Sequence, residues 1–165
     1  PETRPADFLA VSPLAEVPVL VIDGTPVFQS GAILMELAQR FAVLGGDTPE
    51  GLRRGREILM WEGNRIGLCL PQLKEARRIG RGGLPPDVIA WLTARFEVDR
   101  NNFDRLLGAA EFLHGAAPGI GDCAVWGYVQ WLQEAGVTPS DKMRRWGEAM
   151  RALPGMKAPE AFFPS

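Results

Sequence analysis

The sequence predicts an α+β chain in two unequal parts, a β-hairpin with one helix followed by an all-helical remainder. Three observations carry this. Val17-Pro18-Val19-Leu20-Val21-Ile22 is a short β-branched apolar run that ends directly on Asp23-Gly24. Ser30 then precedes a set of apolar residues at helical spacing. Beyond Phe41 no further run reads as a strand, and the apolar residues keep a helical period.

Taken in order, Val17–Ile22 reads as a strand buried on both faces. Proline cannot donate to a sheet ladder, so Pro18 belongs at the strand's start or on an edge. Asp23-Gly24 is a hairpin signal, glycine being free to take positive φ, and Thr25-Pro26-Val27-Phe28 is the returning strand. Ser30 is the expected N-cap of a helix with Ile33, Leu34, Leu37, Ala38 and Phe41 on its apolar face. A capping hydroxyl beside exposed N–H groups makes an anion site.

Gly45-Gly46-Asp47-Thr48-Pro49 is a loop leading into a second helix, with Thr48 as cap, Pro49 in the first helical position and Glu50 in the first turn. Leu52, Leu59, Ile66 and Leu73 recur every seven residues, with Ile58 and Leu70 widening the stripe. Pro71 and recurring glycines argue against a coiled coil, and one long, bent bundle helix is expected. Gly80–Pro86 is a basic, glycine-rich connector. Pro86-Asp87 opens the next helix, with Val88, Leu92, Phe96, Phe103, Leu106 and Ala110 on one face. Asp99 falls on that apolar face. A helix that bends or ends at Asn101-Asn102 is favoured over a functional carboxylate. Arg53, Arg54 and Arg56, then Arg77, Arg78 and Arg81, are charge runs that suit a solvated face.

Composition narrows the function classes. A chain of 165 residues can bury a substantial core in one or two domains. A net charge of −2 with interspersed signs gives no footprint for nucleic acid or an anionic membrane, and no apolar run suffices for a membrane span. Cys69 and Cys123 sit singly in apolar helical patterns, which fits buried free thiols in a reducing compartment and no metal site. His114 falls near a helix end, where a surface or helix-terminal role outweighs catalysis. The chain opens on Pro1 without an initiator Met or a charged-then-apolar leader, as a trimmed piece would.

Ser12-Pro13-Leu14-Ala15-Glu16-Val17-Pro18-Val19-Leu20, followed by Gln29-Ser30-Gly31-Ala32-Ile33, resembles the glutathione-binding half of the glutathione S-transferase superfamily. That family's pattern is N-P-x-G-x-V-P-x-L, a short hairpin, then [EQ]-S-x-A-I. Two later stretches extend the resemblance. Gly119-Ile120-Gly121-Asp122 is similar to the capping box, [ST]-x-x-D, of the family's core helix, with Gly119 in place of Ser or Thr. Trp146, Met150 and Pro154 match its late helix, so the matches run from about Asp7 to about Pro159. Taken singly, Ser30 is also a plain helix cap and Pro18 a plain turn residue. The ordered combination of strand, turn, strand and helix favours a ligand site.

The resemblance implies that residues 1–44 are the second half of a thioredoxin-like glutathione-binding domain and 45–165 an all-α domain. It implies a cis bond before Pro18, which turns the Val17 backbone outward to pair with the cysteinyl unit of glutathione. Gln29 and Ser30 would hold its γ-glutamyl carboxylate. A small apolar electrophile would lie between the two parts, against the helix carrying Trp61, Asn64 and Arg65. The Tyr, Ser or Cys that activates the thiol would lie before Pro1, and Tyr128 would be deep in the core helix after Asp122. The protein so implied is a cytoplasmic, homodimeric transferase with glutathione as co-substrate. Glu16, where many relatives carry Lys, departs from the pattern and favours a rival reading, a non-catalytic dimerisation or assembly module.

Overall fold

Asp23 and Gly24 set the hairpin. In the computed structural model, which describes residues 4–78 and 83–156, they have φ of 50° and 79°. Both are left-handed, as a two-residue hairpin turn requires. Strands β1 (Val19–Ile22) and β2 (Thr25–Phe28) pair antiparallel across it, from Val19 opposite Phe28 to Ile22 opposite Thr25. The strand is not buried on both faces as expected. Helix α2 (Ser30–Phe41) packs on the hairpin, yet Val21 remains half exposed.

A short helix that the sequence reading lacked, α1 (Ala6–Val11), precedes the hairpin. Six residues are too few to show a period. Ser12 then pins the loop into β1: its Oγ accepts from the Glu16 N–H at 3.1 Å and donates to the Glu16 carbonyl at 2.9 Å. Ala15, in the place of the motif's glycine, keeps a left-handed φ of 56°. On α2, Ile33 and Ala38 are buried, while Phe41, at the helix end, is exposed rather than part of the apolar face.

The rest is helical among the described residues. Helix α3 (Pro49–Gly63) begins as predicted, with Thr48 Oγ1 accepting from the Gly51 N–H at 3.0 Å. The expected long helix is instead two. The chain leaves α3 at Asn64, Arg65 has ψ of −94°, and α4 (Ile66–Ala76) starts anew. Pro71 sits within α4 without ending it. Helix α5 (Pro86–Leu107) continues through Asn101-Asn102 and carries Asp99 fully buried, so the helix does not end there. Ala110 lies past its end and is exposed. Residues 80–82 of the predicted connector, Arg81 included, lie outside the described residues, as does Pro159. Helices α6 (Ile120–Val129), α7 (Leu132–Ala135) and α8 (Asp141–Ala152) complete the fold.

The core draws mainly on α4, α5, α6 and α8, with Leu70, Phe96, Phe103, Val125 and Trp146 at its centre. Phe103 and Trp146 meet edge to face, centroids 5.1 Å apart. A smaller cluster of Ala38, Leu59 and Ile120 ties α2 to α3 and α6, and so fixes the hairpin part against the helices.

Asp122 holds the N-terminus of α6. Its Oδ2 accepts from the Gly119 N–H at 2.9 Å, and its Oδ1 accepts from the Leu113 N–H at 2.7 Å and the Trp146 Nε1–H at 2.8 Å. His114 stands in for the missing Ser or Thr hydroxyl: its Nε2 accepts from the Gly121 N–H at 3.2 Å. A Cβ on residue 119 would meet the imidazole at 2.2 Å, so the ring's position requires glycine there. One arginine of the presumed solvated runs is structural. Arg54 donates to the carbonyls of Leu106 (2.9 Å) and Leu113 (3.0 Å), satisfying backbone at and beyond the end of α5.

Candidate functional site

Two adjoining cavities lie where the hairpin part meets α3 and α6. The first, of about 180 Å³, is walled by Val17, Pro18, Gln29 and Ser30 together with Ser12, Glu16 and Tyr128. All four residues proposed from the motif are therefore side by side. The Val17–Pro18 bond is cis. Val17 is 66% exposed, and among the described residues nothing bonds its N–H or C=O. An exposed, unpaired amide beside a strand is what an extended peptide needs in order to pair.

Ser30 differs from expectation in one respect. The N-cap of α2 is Gln29, with φ of 71°, and Ser30 is the first helical residue, its side chain not used as a cap. The Gln29 carbonyl accepts from the Ile33 N–H at 3.0 Å. The N–H groups of Ser30, Gly31 and Ala32 are left unpaired among the described residues, and the Ser30 hydroxyl stays free beside them. A carboxylate placed there meets several donors and the positive end of the helix dipole. Glu16, also on the wall, is the acidic residue of this lining.

The second cavity, of about 400 Å³, shares Pro18, Ser30 and Tyr128 with the first. It continues along Ile33, Leu34, Glu62, Cys123 and Trp131 and is largely apolar. Burial pushes the Glu62 carboxyl up to about 7. Burial, and then the nearby Glu62, raises the Tyr128 phenol. Burial, reinforced by Asp122, pushes the Cys123 thiol up to about 11. Neither Tyr128 nor Cys123 is thus an ionised nucleophile at neutral pH.

Trp61, Asn64 and Arg65 do not line this cavity. Trp61 packs against the main core, and the exposed Asn64 accepts through its carbonyl from Arg95 at 3.3 Å. Arg65 borders a separate groove with Trp91 and Arg95, its guanidinium 3.9 Å from Asp99. The physical reason is the end of α3. Glu62 is the last residue of its buried face, and the turn at Asn64-Arg65 carries the chain away from the cleft. Asp99 has neither oxygen hydrogen-bonded among the described residues, and burial raises its carboxyl against the opposing pull of Arg65 and Arg95.

Glu62 and Tyr128 are the site residues that the sequence reading missed or misplaced. Tyr128 is on the cleft wall and half buried, not deep in the core. Glu62 had a legible signal. It falls four residues after Ile58 and four before Ile66, a carboxylate on a buried stripe. Among the described residues no group of His, Cys, Asp or Glu could hold a metal ion, and no helix is long and apolar enough to cross a membrane.

Comparisons with known proteins agree with this geometry. The family model for the glutathione S-transferase N-terminal domain matches residues 1–40. Comparison with curated proteins finds no match. Among solved structures, a glutathione S-transferase from Xanthobacter autotrophicus Py2 is 28% identical, with a TM-score of 0.73, over 93% of this chain and 77% of that one. Poplar glutathione transferase F1 is 17% identical with a TM-score of 0.78, over 91% of this chain and 74% of its own. A Burkholderia graminis glutathione transferase, solved with two glutathione molecules per subunit, is 21% identical with a TM-score of 0.75, over 91% of this chain and 68% of its own. With the cis Val17–Pro18 bond, the hairpin and the Asp122 cap all in place, residues 1–40 match the glutathione S-transferase N-terminal domain and the chain shares the fold of solved glutathione transferases along its length.

Proposed function

We propose that the protein binds glutathione in the polar cavity and conjugates it to, or isomerises with it, a small apolar electrophile held in the adjoining one. The observation that carries this is the juxtaposition of an unpaired Val17 backbone and an unpaired α2 N-terminus across one cavity. Val17 pairs with the cysteinyl unit as an added strand does. Ser30 holds the γ-glutamyl carboxylate with its hydroxyl and N–H, and Gln29 contacts the same group. Residues 1–44 are then the second half of the thioredoxin-like unit and 45–165 the helical domain. The free thiols of Cys69 and Cys123 suit a reducing, cytoplasmic setting. A closed two-fold dimer belongs to the same proposal. The apolar stripe of α3 and α4 is consumed by the chain's own core, so the contact falls to the exposed Met60, Trp91 and Val98. Light scattering that gives a monomer at micromolar concentration would remove the dimer.

Calorimetric titration of glutathione into the full-length protein tests the site. Removing a hydrogen bond to a charged group costs about 1.5–3 kcal/mol, so Ser30→Ala should weaken binding by roughly one to two orders of magnitude. Glu16→Lys should leave affinity equal or improve it, because the charge facing the ligand's glycyl carboxylate reverses. Tight binding that Ser30→Ala leaves untouched overturns the assigned site. No binding by the parent moves the reading to a non-catalytic module.

A further inference from the structure

Glu62 is the acidic group of the apolar cavity. Only 6% of the residue is exposed, and its Oε1 has no hydrogen-bond partner among the described residues. An unpaired carboxyl among Ile33, Leu34 and Trp131 weakens the fold relative to an apolar side chain of similar size. Its surroundings leave it room. A Cβ on Gly67 would stand 2.6 Å from Glu62 Oε1 and 3.3 Å from Tyr128 Cε2, so glycine at the start of α4 keeps the space between them open. Tyr128 and Cys123, both on α6, are the other titratable groups of the lining, and no lining residue is cationic.

We propose that Glu62 is the proton donor to the second substrate, and that this substrate is an electrophile whose oxygen takes up charge as the carbon–sulfur bond forms. An α,β-unsaturated ketone is the simplest member of that class. The inference rests on the transferase reading above. The glutathione thiolate gives an electron pair to the β-carbon, and the carbon–carbon π pair shifts to form the enolate. The enolate oxygen takes the proton of the Glu62 carboxyl. The enol then tautomerises to the saturated ketone, and the Glu62 carboxylate recovers a proton from water. An aryl chloride asks for no such proton, since its electron pair departs with chloride. Because burial pushes the Glu62 carboxyl up to about 7, the acid form is present at neutral pH.

The full-length protein, saturated with glutathione, is assayed with benzalacetone and with chlorodinitrobenzene, and the readout is the ratio of the two kcat/KM values. Titration of the glutathione thiol enters both and cancels. General-acid catalysis is worth about 100-fold or more, so Glu62→Gln should lower the ratio by about that factor. In the parent the ratio should fall as pH rises through about 7, and in the variant it should be flat. A ratio that Glu62→Gln does not change overturns the role, as does a parent ratio that is indifferent to pH. If the variant fails to fold, the parent's pH profile decides alone. A parent that turns over neither substrate refutes the transferase reading itself, an outcome distinct from turnover of both with an unchanged ratio.

Discussion

Replacing Asp122 removes the acceptor for three buried donors at once. The side chain has no exposure, and it takes the N–H groups of Gly119 and Leu113 and the indole N–H of Trp146 at 2.7–2.9 Å. In Asp122→Asn one oxygen becomes an NH₂ group. Turned toward Gly119 it faces one N–H, and turned the other way it faces two. At least one buried donor therefore loses its acceptor in either orientation. A hydrogen bond to a charged group is worth about 1.5–3 kcal/mol, so Asn should cost roughly 2–4 kcal/mol and Ala more. For a chain of this size each kcal/mol moves Tm by about 2–4 °C, so Asn should lower it by roughly 5–15 °C. Urea unfolding followed by tryptophan fluorescence measures the loss, since Trp146 is itself a partner. A folded Asp122→Ala protein that loses under about 1 kcal/mol would refute the assignment of this residue as the anchor of α6.

His114 adds a pH dependence. Burial, the largest influence, holds its imidazole below the ordinary value against the pull of Asp122, with a smaller push from Arg54, so the fold prefers the neutral ring that accepts from Gly121. That contribution is present above the unfolded value of about 6.5 and is lost as pH falls through the folded one. The urea midpoint should drop in that window, and less steeply in His114→Gln. Restoring the family's cap with Gly119→Ser should destabilise by about 1–3 kcal/mol, since the new Cβ would meet the imidazole at 2.2 Å. Adding His114→Ala should recover part of that loss.

What could be read from sequence was local chemistry. Asp23-Gly24, Thr48-Pro49 and Asp122 each act on backbone within a few residues, and all three do in the structure what their types predict. The four motif residues that line the first cavity were legible for the same reason, because Val17 and Pro18 lead directly into the hairpin and Gln29 and Ser30 directly follow it. Ser30 was placed one position off. The rule that Ser caps helices does not register that Gln29 adopts positive φ and takes that position itself. The break at Asn64-Arg65 escaped because Ile66 continues the heptad across it, so periodicity alone joins two helices. Glu62 and Tyr128 meet only through the packing of α3 on α6, and no local pattern connects residues so far apart in the chain.

Helix α6 binds the two levels together. Its N-terminus is closed by Asp122 and His114, and further along it Cys123, Gly127 and Tyr128 form one wall of the cleft. It is ten residues long and buried on several sides, so it can shift only as a unit. The geometry of the apolar cavity thus depends on hydrogen bonds made at the N-terminus of this helix. With glycine at the cap, α6 still has an acceptor at its N-terminus. Losing the Ser or Thr hydroxyl would leave an N–H of α6 unpaired beside the core, but His114, five residues upstream, delivers an acceptor into the space that the missing side chain vacates. Gly119 and His114, the lone histidine of the chain, are complementary, since the ring occupies the space a Cβ at 119 would need. Each makes physical sense only with the other present.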